Sequence, residues 1–572
     1  MVVLESATER TVRGTGRDPA NGTGTGSTRV PVLVAWTVRV VALLAVLGMP
    51  NPQDAGYTSG PLDPLVDGTA FAATMLSAGT MLVLAGALSR RKRRAWVLML
   101  IVVAIGTVAN CQVRRWWVAL LNIAVLLLLV RARQDFRARS ERASRLAALR
   151  LLAVMGPFCV FAGMLIALRL APDEPADTRL QEVLLGLLGF APDVETGRSP
   201  GCTALQVALN TLGGLTALLV LVVALAPARK TSRLSAADEC RLRELLDRFG
   251  DRDSLGYFAL RGDKTAIFSP SGKAAVVYRV VGGVSLASGD PVGDPEAWPA
   301  AIEAWLREAG EYGWTPGVIG ACENGAIAYQ RAGLDSLEVG DEAVLDLNAF
   351  TLQGRRMRVV RQAVNRVRRA GYTLDVRRQR DLPHEDLPEL IAVAHALRAE
   401  DVERGFSMAL GRLGSPRDPE LMLARARDAE GRLVAVLSFV PWGTDGLSLD
   451  VMRRSRNSEN GTLEFVVCSL AEQARDLGIR RISLNFAVFR SVFERGSRVG
   501  AGPVLRLWHR TLVVASRWWQ IESLYRANAK YAPLWSPRFL CFRRAADLPR
   551  VAVAALEAEA FIQRPTLRLL DR

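Results

Sequence analysis

Gly446-Leu447-Ser448-Leu449-Asp450-Val451-Met452-Arg453-Arg454 alternates apolar residues with a hydroxyl, a carboxylate and two guanidinium groups. That alternation, bounded by glycine, predicts a strand over Gly446–Met452. Gly461-Thr462-Leu463-Glu464-Phe465 opens a helical pattern over Thr462–Leu477. Ser483-Leu484-Asn485-Phe486-Ala487 lies in the next strand-like run, Ile479–Phe486. Strand, helix and strand in this order predict an α/β fold. Further on, Glu522-Ser523-Leu524-Tyr525-Arg526-Ala527-Asn528-Ala529-Lys530-Tyr531 continues through Pro533 and Trp535 to Pro537-Arg538. Each segment sets charge among residues that fold inward. A buried charge is costly unless it is paired or used, so these segments mark a candidate site. The alternative is a set of ion pairs at strand ends.

Upstream, the same alternation continues. Lys273–Val281, Thr315–Ala321, Gly340–Leu347 and Arg432–Val440 read as strands, and Trp298–Gly310 and Asp238–Gly250 as helices. The stretch after Ala226 is long for one sheet, which suggests two related lobes. Before it the chain changes character. Six apolar runs, Val30–Met49, Gly68–Leu88, Ala95–Asn110, Trp116–Val130, Leu146–Leu168 and Leu205–Ala226, approach the about 20 residues that span a bilayer. They account for a mean hydropathy of +0.16.

Lysine and arginine between the runs set an orientation. Arg90-Arg91-Lys92-Arg93-Arg94, the arginines from Arg131 to Arg145, and Arg229, Lys230 and Arg233 fall on one side. Asn51–Asp67, without lysine or arginine, and the acidic Pro172–Glu195 fall on the other, with Arg114 and Arg115 as the exception. The expectation is a multi-pass plasma-membrane protein with both termini and the α/β domain in the cytoplasm. The expected organisation is a disordered tail (1–29), a membrane domain of about six helices (30–228), a linker helix (229–255), a catalytic domain (256–545) and a C-terminal tail (546–572). No cleavable signal peptide is evident. Arg39 lies inside the first run, where a charge either contacts a lipid phosphate or snorkels to the surface.

The net charge of +16 is shared evenly between the apolar part and the remainder, so it singles out no nucleic-acid domain. One segment does. In Leu352–Ala370, Met357, Val360, Val364 and Val367 form a narrow apolar stripe at helical spacing. Around it stand Arg355, Arg356, Arg358, Arg361, Arg366, Arg368 and Arg369 with no acidic residue. Such a face repels itself unless an anion answers it. Phosphate binding is one reading, with Arg355, Arg358, Arg361, Arg366 and Arg368 as the contacting set; solvation or anionic lipid is the other.

The seven cysteines form no CxxC pair, and with only His384, His395 and His509 a zinc site is not expected. No Walker A loop, dinucleotide fingerprint, GxSxG elbow or HExxH occurs, so no cofactor is expected and any activated substrate arrives already activated.

From about Gly256 to Arg543 the chain resembles the cytoplasmic domain of the bacterial multiple peptide resistance factor family, the aminoacyl-phosphatidylglycerol synthases. The resemblance rests on Gly289-Asp290-Pro291-Val292-Gly293, Gly340-Asp341-Glu342-Ala343, Gly405-Phe406-Ser407-Met408, Ser448-Leu449-Asp450 with Met452-Arg453-Arg454, Ser483-Leu484-Asn485-Phe486-Ala487 and Glu522-Ser523-Leu524-Tyr525-Arg526 with Asn528-Ala529-Lys530-Tyr531. It implies tandem acyltransferase folds of the GNAT type. It implies transfer of an amino acid, lysine or alanine, from aminoacyl-tRNA to the glycerol hydroxyl of phosphatidylglycerol at the inner leaflet. The product makes the membrane more cationic and favours resistance to cationic antimicrobial peptides. Full-length members carry more transmembrane helices, including a lipid-flipping module, and some relatives are fused to a lysyl-tRNA synthetase; no such domain is expected after Arg543.

That chemistry needs positioning, a base for the hydroxyl proton and donors for the developing oxyanion. Asp450 and Glu464 are the candidate carboxylates, with Arg453 and Asn485 beside them as the catalytic set. Ser448, Tyr525, Arg526, Asn528, Lys530 and Arg538 are the candidate substrate-binding residues, and Tyr525 and Trp535 could also stack on a terminal adenine. Expected partners are aminoacyl-tRNA, lysyl-tRNA first, phosphatidylglycerol and the bilayer; a homo-oligomer is left open. Alternatives within the class are alanyl transfer or an acceptor such as diacylglycerol. Those outside it are a membrane-anchored acyl-CoA-type acyltransferase, for which Arg498-Val499-Gly500-Ala501-Gly502 has the wrong loop spacing, and a lipid transporter without catalysis.

Overall fold

The structure is a computed structural model that describes residues 34–40, 76, 78–88, 92–112, 116–133, 142–170, 175–188, 200–225, 233–398, 405–488 and 527–562. The chain divides into two compact units, residues 1–60 with 70–137, and residues 61–69 with 138–572.

In the first unit, residues 34–40 and 78–88 are helical, followed by α1 (Arg93–Gln112) and α2 (Trp116–Arg131). The third and fourth apolar runs thus form α1 and α2, which pack on one another, with the Trp96 indole N–H donating to the Leu129 carbonyl at 2.8 Å. Arg39 lies 5.3 Å over the ring of Trp36, one helical turn away. The second unit begins with α3 (Arg142–Leu170), α4 (Ala176–Leu187) and α5 (Pro200–Ala224). Ala167, Val183, Leu205 and Leu209 pack together among them. Helix α4 occupies the segment expected to be an acidic loop. Among the described residues, two helical stretches, Leu146–Leu170 and Ala204–Ala224, are long and apolar enough to cross a bilayer; Ala78–Leu88 and Ala119–Arg131 are shorter.

After α6 (Ala236–Phe249), whose N-terminus is capped by the Ser235 hydroxyl, one large mixed sheet organises the chain. Its strands are β1 (Thr265–Phe268), β2 (Ala274–Val281), β3 (Val284–Ser288), β4 (Val292–Gly293), β5 (Thr315–Ala321), β6 (Asp335–Asp346), β7 (Thr373–Arg378), β8 (Met422–Arg427), β9 (Leu433–Trp442), β10 (Gly446–Arg454), β11 (Arg481–Val488) and β12 (Leu534–Phe542). Their order is β1-β2-β3-β5-β12-β6-β11-β10-β9-β8-β7, with β4 beside β2.

The sheet contains one pattern twice. In the N-terminal half an antiparallel meander, β1-β2-β3, crosses through α7 (Trp298–Tyr312) to β5, parallel to β3. In the C-terminal half the meander β7-β8-β9-β10 crosses through α11 (Thr462–Asp476) to β11, parallel to β10. Each half is then closed by a strand from the other: β12, late in the chain, pairs with β5, and β6, from the first half, pairs with β11. The expected two related lobes are therefore halves of one sheet, joined along β6 and β12.

Both crossover helices follow from their sequences. Helix α7 buries Trp298, Ala301, Ile302, Trp305 and Ala309 at helical spacing and ends where Gly313 takes φ +66°. Trp305 is fully enclosed, its indole N–H donating to Ser285 Oγ at 2.8 Å. Helix α11 buries Phe465, Val466, Val467, Cys468, Leu470, Ala471 and Ala474 against Leu437, Phe439, Leu447 and Leu449 of the sheet. Across its outer side lies α9 (Arg358–Arg369), whose Val360, Val364 and Val367 are buried, as the apolar stripe required. Three further helices complete the domain: α8 (Glu323–Arg331), α10 (Asp386–Ala396) on the opposite face of the C-terminal half, and α12 (Leu548–Ala558) against β3 and β5.

Candidate active site at the parting of two parallel strands

The parallel pair β10 and β11 holds together only from Gly446 to Ser448 and from Arg481 to Ser483. Beyond that point both strands are irregular: β10 bulges against β9 between Leu449 and Val451, and β11 shifts against β6 between Ser483 and Phe486. A bulge re-aims side chains, and bulges gather beside active sites. Asn485 makes the turn in β11 with φ +66°, a conformation that asparagine tolerates better than most residues. Its amide donates across the gap to the Leu449 carbonyl at 2.7 Å. Asn485 Oδ1 and the Ser448 hydroxyl, both buried, have no hydrogen-bond partner among the described residues. Unsatisfied buried polar atoms are rare and call for an explanation; two at one strand parting fit a site whose ligand supplies the missing bonds.

At the bulge Asp450 meets the loop before β8 and strand β9. Its Oδ1 accepts from the Leu410 amide at 2.7 Å and its Oδ2 from the Ser438 hydroxyl at 3.2 Å. Ser438 lies between Leu437 and Phe439, which point into the core under α11, so its hydroxyl is on the other face. On that face Arg453, His395, Arg398 and Val451 line an open pocket of ≈160 Å³.

Glu464 does not join Asp450. It lies in the first turn of α11, on the opposite face, and forms an ion pair with Lys530 at 2.6 Å. The two candidate carboxylates are therefore separated by the sheet. Asn528 is buried and its amide donates to the Leu484 carbonyl at 3.4 Å, tying residues 527–531 to β11. Tyr531 and Trp535 pack with the core under α11. Tyr525 and Arg526 lie outside the described residues.

Arg538, a candidate substrate-binding residue in the sequence, is instead a structural one: it is 2% exposed and its charge is already answered. It contacts Glu342 at 2.5 Å and Asp253 at 2.7 Å, and donates to Ser254 Oγ at 2.7 Å and the Gly320 carbonyl at 3.1 Å. Glu342 also accepts from the Ser254 and Ser483 hydroxyls. These bonds hold the Glu342 carboxyl below its usual range despite a burial that acts to raise it. The sequence does not reveal this network, although Glu342 and Ser483 each belong to one of the motifs that carry the family resemblance.

At the equivalent strand ends of the N-terminal half a pocket opens, lined by Arg252, Asp290, Trp298, Cys322 and Arg331 among others. Past Ser288 and Ile319, Asp290 accepts from the Cys322 amide at 2.8 Å and thiol at 2.7 Å. A Cβ on Gly325 would stand 1.9 Å from Asp290 Oδ1, so only glycine admits this carboxyl. Burial and the neighbouring Asp253 push the Asp290 carboxyl upward.

The arginine helix is partly answered. Arg368 pairs with Glu472 at 2.6 Å, and Arg361 donates to the Leu352 carbonyl at 2.5 Å. Arg355, Arg358 and Arg366 are exposed and have no carboxylate partner among the described residues.

A meander-crossover pattern repeated within one sheet defines a tandem acyltransferase-type fold. The chain belongs to the family described as phosphatidylglycerol lysyltransferase, C-terminal, whose model matches residues 243–542. The lysylphosphatidylglycerol biosynthesis bifunctional protein LysX of Mycobacterium sp. (strain JLS) is 44% identical over 570 residues, 94% of this chain and 51% of that protein. LysX of Mycobacterium avium (strain 104) is 45% identical over 564 residues, 94% of this chain and 47% of that protein. The chain thus spans about half the length of the curated relatives it matches. The structure of L-PGS from Bacillus licheniformis superposes with a TM-score of 0.50 at 22% identity, covering 59% of this chain and all of that one, a likeness of fold.

Proposed function

We propose that the chain transfers a lysyl group from lysyl-tRNA to the glycerol hydroxyl of phosphatidylglycerol. The observation that carries the reading is the open parting of β10 and β11, with Asp450 on the bulge and Ser448 Oγ and Asn485 Oδ1 unpartnered among the described residues. The names of its LysX relatives support the lysyl group and the phosphatidylglycerol acceptor. The acceptor hydroxyl attacks the aminoacyl carbonyl. A new ester forms, the tRNA ribose hydroxyl leaves, and the proton lost by the acceptor ends on that leaving oxygen. One ester replaces another, so no nucleotide cofactor is required.

Within this reading, Asp450 takes the acceptor proton and returns it to the leaving hydroxyl. Its bonds from Leu410 and Ser438 hold it in one orientation. Ser448 and Asn485 orient the ester, and Arg453 attracts a phosphate into the pocket beside α10. Arg355, Arg358 and Arg366 contact the tRNA backbone. Glu464 and Lys530, paired with each other, serve the far side of the sheet as a second anchoring point. In this reading the protein is multi-pass and its site faces the inner leaflet, where the product raises membrane cationicity and resistance to cationic peptides; the apolar stretches Leu146–Leu170 and Ala204–Ala224 support it.

The test is expression in a host that lacks lysyl-phosphatidylglycerol, followed by lipid extraction. A new cationic lipid that releases lysine on mild alkali is expected. Alanine in its place would change the donor, and an unaltered lipid profile with well-expressed protein would defeat the reading.

A further inference from the structure

We infer that Glu559 is a positioning residue for the site: it clamps the loop Gly405–Leu410 that holds the carboxylate of Asp450. The inference rests on the role proposed above for Asp450. Glu559 follows α12, far along the chain from β10, and is 5% exposed. Both of its oxygens are directed at one loop. Oε2 accepts from the Phe406 amide at 2.6 Å; Oε1 accepts from the Ser407 amide at 3.0 Å and from the Ser407 hydroxyl.

The same loop is gripped from two other directions. Arg261 Nη1 donates to the carbonyls of Gly405 and Ala409, the latter at 3.0 Å. Phe406 is fully buried among Val551, Ala554, Ala555 and Ala558 of α12, with Lys264 Nζ 4.6 Å from its ring. Gly405 turns the backbone at φ +116°, with Ala409 so near that a Cβ on Gly405 would approach its methyl to 2.7 Å. Three residues past Ser407, the loop delivers the Leu410 amide to Asp450 Oδ1 at 2.7 Å. Leu410 itself is buried with Leu421 and Val440.

Helix α12 belongs to the N-terminal half of the sheet and Asp450 to the C-terminal half. With Arg261, Glu559 thus lets one half fix the orientation of the other's candidate base. A buried carboxylate spent on backbone amides, with no salt-bridge partner among the described residues, is costly, and helix packing alone does not call for it. Displacing a reacting group by about 1 Å lowers rate by up to about 100-fold, so a loop that sets one hydrogen bond to Asp450 has leverage on the chemistry.

The test is a double-mutant cycle in the full-length chain. Glu559→Gln should lower kcat for lysyl transfer about tenfold, leave KM for lysyl-tRNA and for phosphatidylglycerol within about twofold, and melt within a few degrees of the parent. Added to Asp450→Asn it should lower kcat by less than about twofold more, because the two act through one group. Hydrogen exchange should quicken at the Leu410 amide as well as at Phe406 and Ser407. Full kcat in Glu559→Gln, additive losses in the double variant, or unchanged exchange at Leu410 would each overturn the inference. If Glu559→Gln does not fold, Ser407→Ala removes one of the three donors and is read through the same cycle. If the parent transfers no lysine, the transfer reading fails, whereas exchange at Leu410 still decides whether Glu559 positions the loop.

Discussion

Lys264 has no exposed surface and donates to the Phe258 carbonyl and the Ser288 hydroxyl, each at 2.9 Å. Burial, reinforced by the nearby Arg261 charge, lowers its ammonium to about 7. Between there and the ordinary lysine value the unfolded chain holds a proton that the folded chain has lost. Unfolding takes up that proton, so stability rises with pH across this window and is lower at its acid end. Lys264→Met should flatten the rise, which urea unfolding in detergent between about pH 7 and about pH 10 reads directly; an unchanged slope would show that the lysine keeps its proton. Asn485 separates chemistry from backbone. Asn485→Gly keeps the positive φ but removes the amide, and should cost about tenfold in transfer with little change in melting. Asn485→Ala should in addition lose roughly 1–2 kcal/mol of stability, because alanine is strained at φ +66°. Equal melting of the two variants would argue that the turn carries no strain.

At the scale of the element, α9 is the helix proposed to serve core and ligand at once. Its valines seat it on α11, and its arginines divide into those answered by the fold and those left outward. Replacing Arg355, Arg358 and Arg366 together by Gln should weaken tRNA binding and reduce the dependence of log affinity on log salt, by about 0.7–0.9 for each phosphate no longer neutralised. Arg368→Gln, which removes only the partner of Glu472, should change that slope little. A triple variant with the parent's slope would return the helix to simple solvation. This helix is legible in the sequence because four apolar residues at regular spacing amid arginine leave one orientation open. Thr315–Ala321 is legible to the residue and Thr462–Leu477 to within one, since glycines and a carboxylate in the first turn mark their ends. Strand β12 is not. Pro537 stands inside it, opposite Asp341 in the centre of the sheet, and proline normally argues against a central strand. Its partners come from the N-terminal half of the sheet, about 200 residues earlier, so no local period announces it. Arg538 misleads for the same reason: its carboxylates, Glu342 and Asp253, are distant in sequence and only the exchange of strands brings them together. Asp450 and Glu464 look like one pair because they are near in sequence, while the sheet between them is invisible there.

For the molecule as a whole, the Arg538 network is where the two halves of the sheet are joined. Removing one member of a buried ion pair strands the other, typically at about 3–5 kcal/mol. Arg538→Met should therefore lower the melting temperature sharply in the full chain, and a variant that melts with the parent would show that the halves are held by β6 and β12 alone. The two strand partings also differ in the groups they hold. Asp290 and Cys322 meet at one strand parting, and Asp450 lies on the bulge beside the other. The central claim is that this open parting is the site of lysyl transfer. The most direct measurement is transfer of labelled lysine from lysyl-tRNA into chloroform-extractable lipid by the full chain in phosphatidylglycerol vesicles, parent beside Asp450→Asn. The account predicts labelled lysyl-phosphatidylglycerol from the parent and at least about tenfold less from the variant, a loss of about 1.4 kcal/mol in transition-state stabilisation, with both melting alike. Undiminished transfer by a folded Asp450→Asn protein would contradict it.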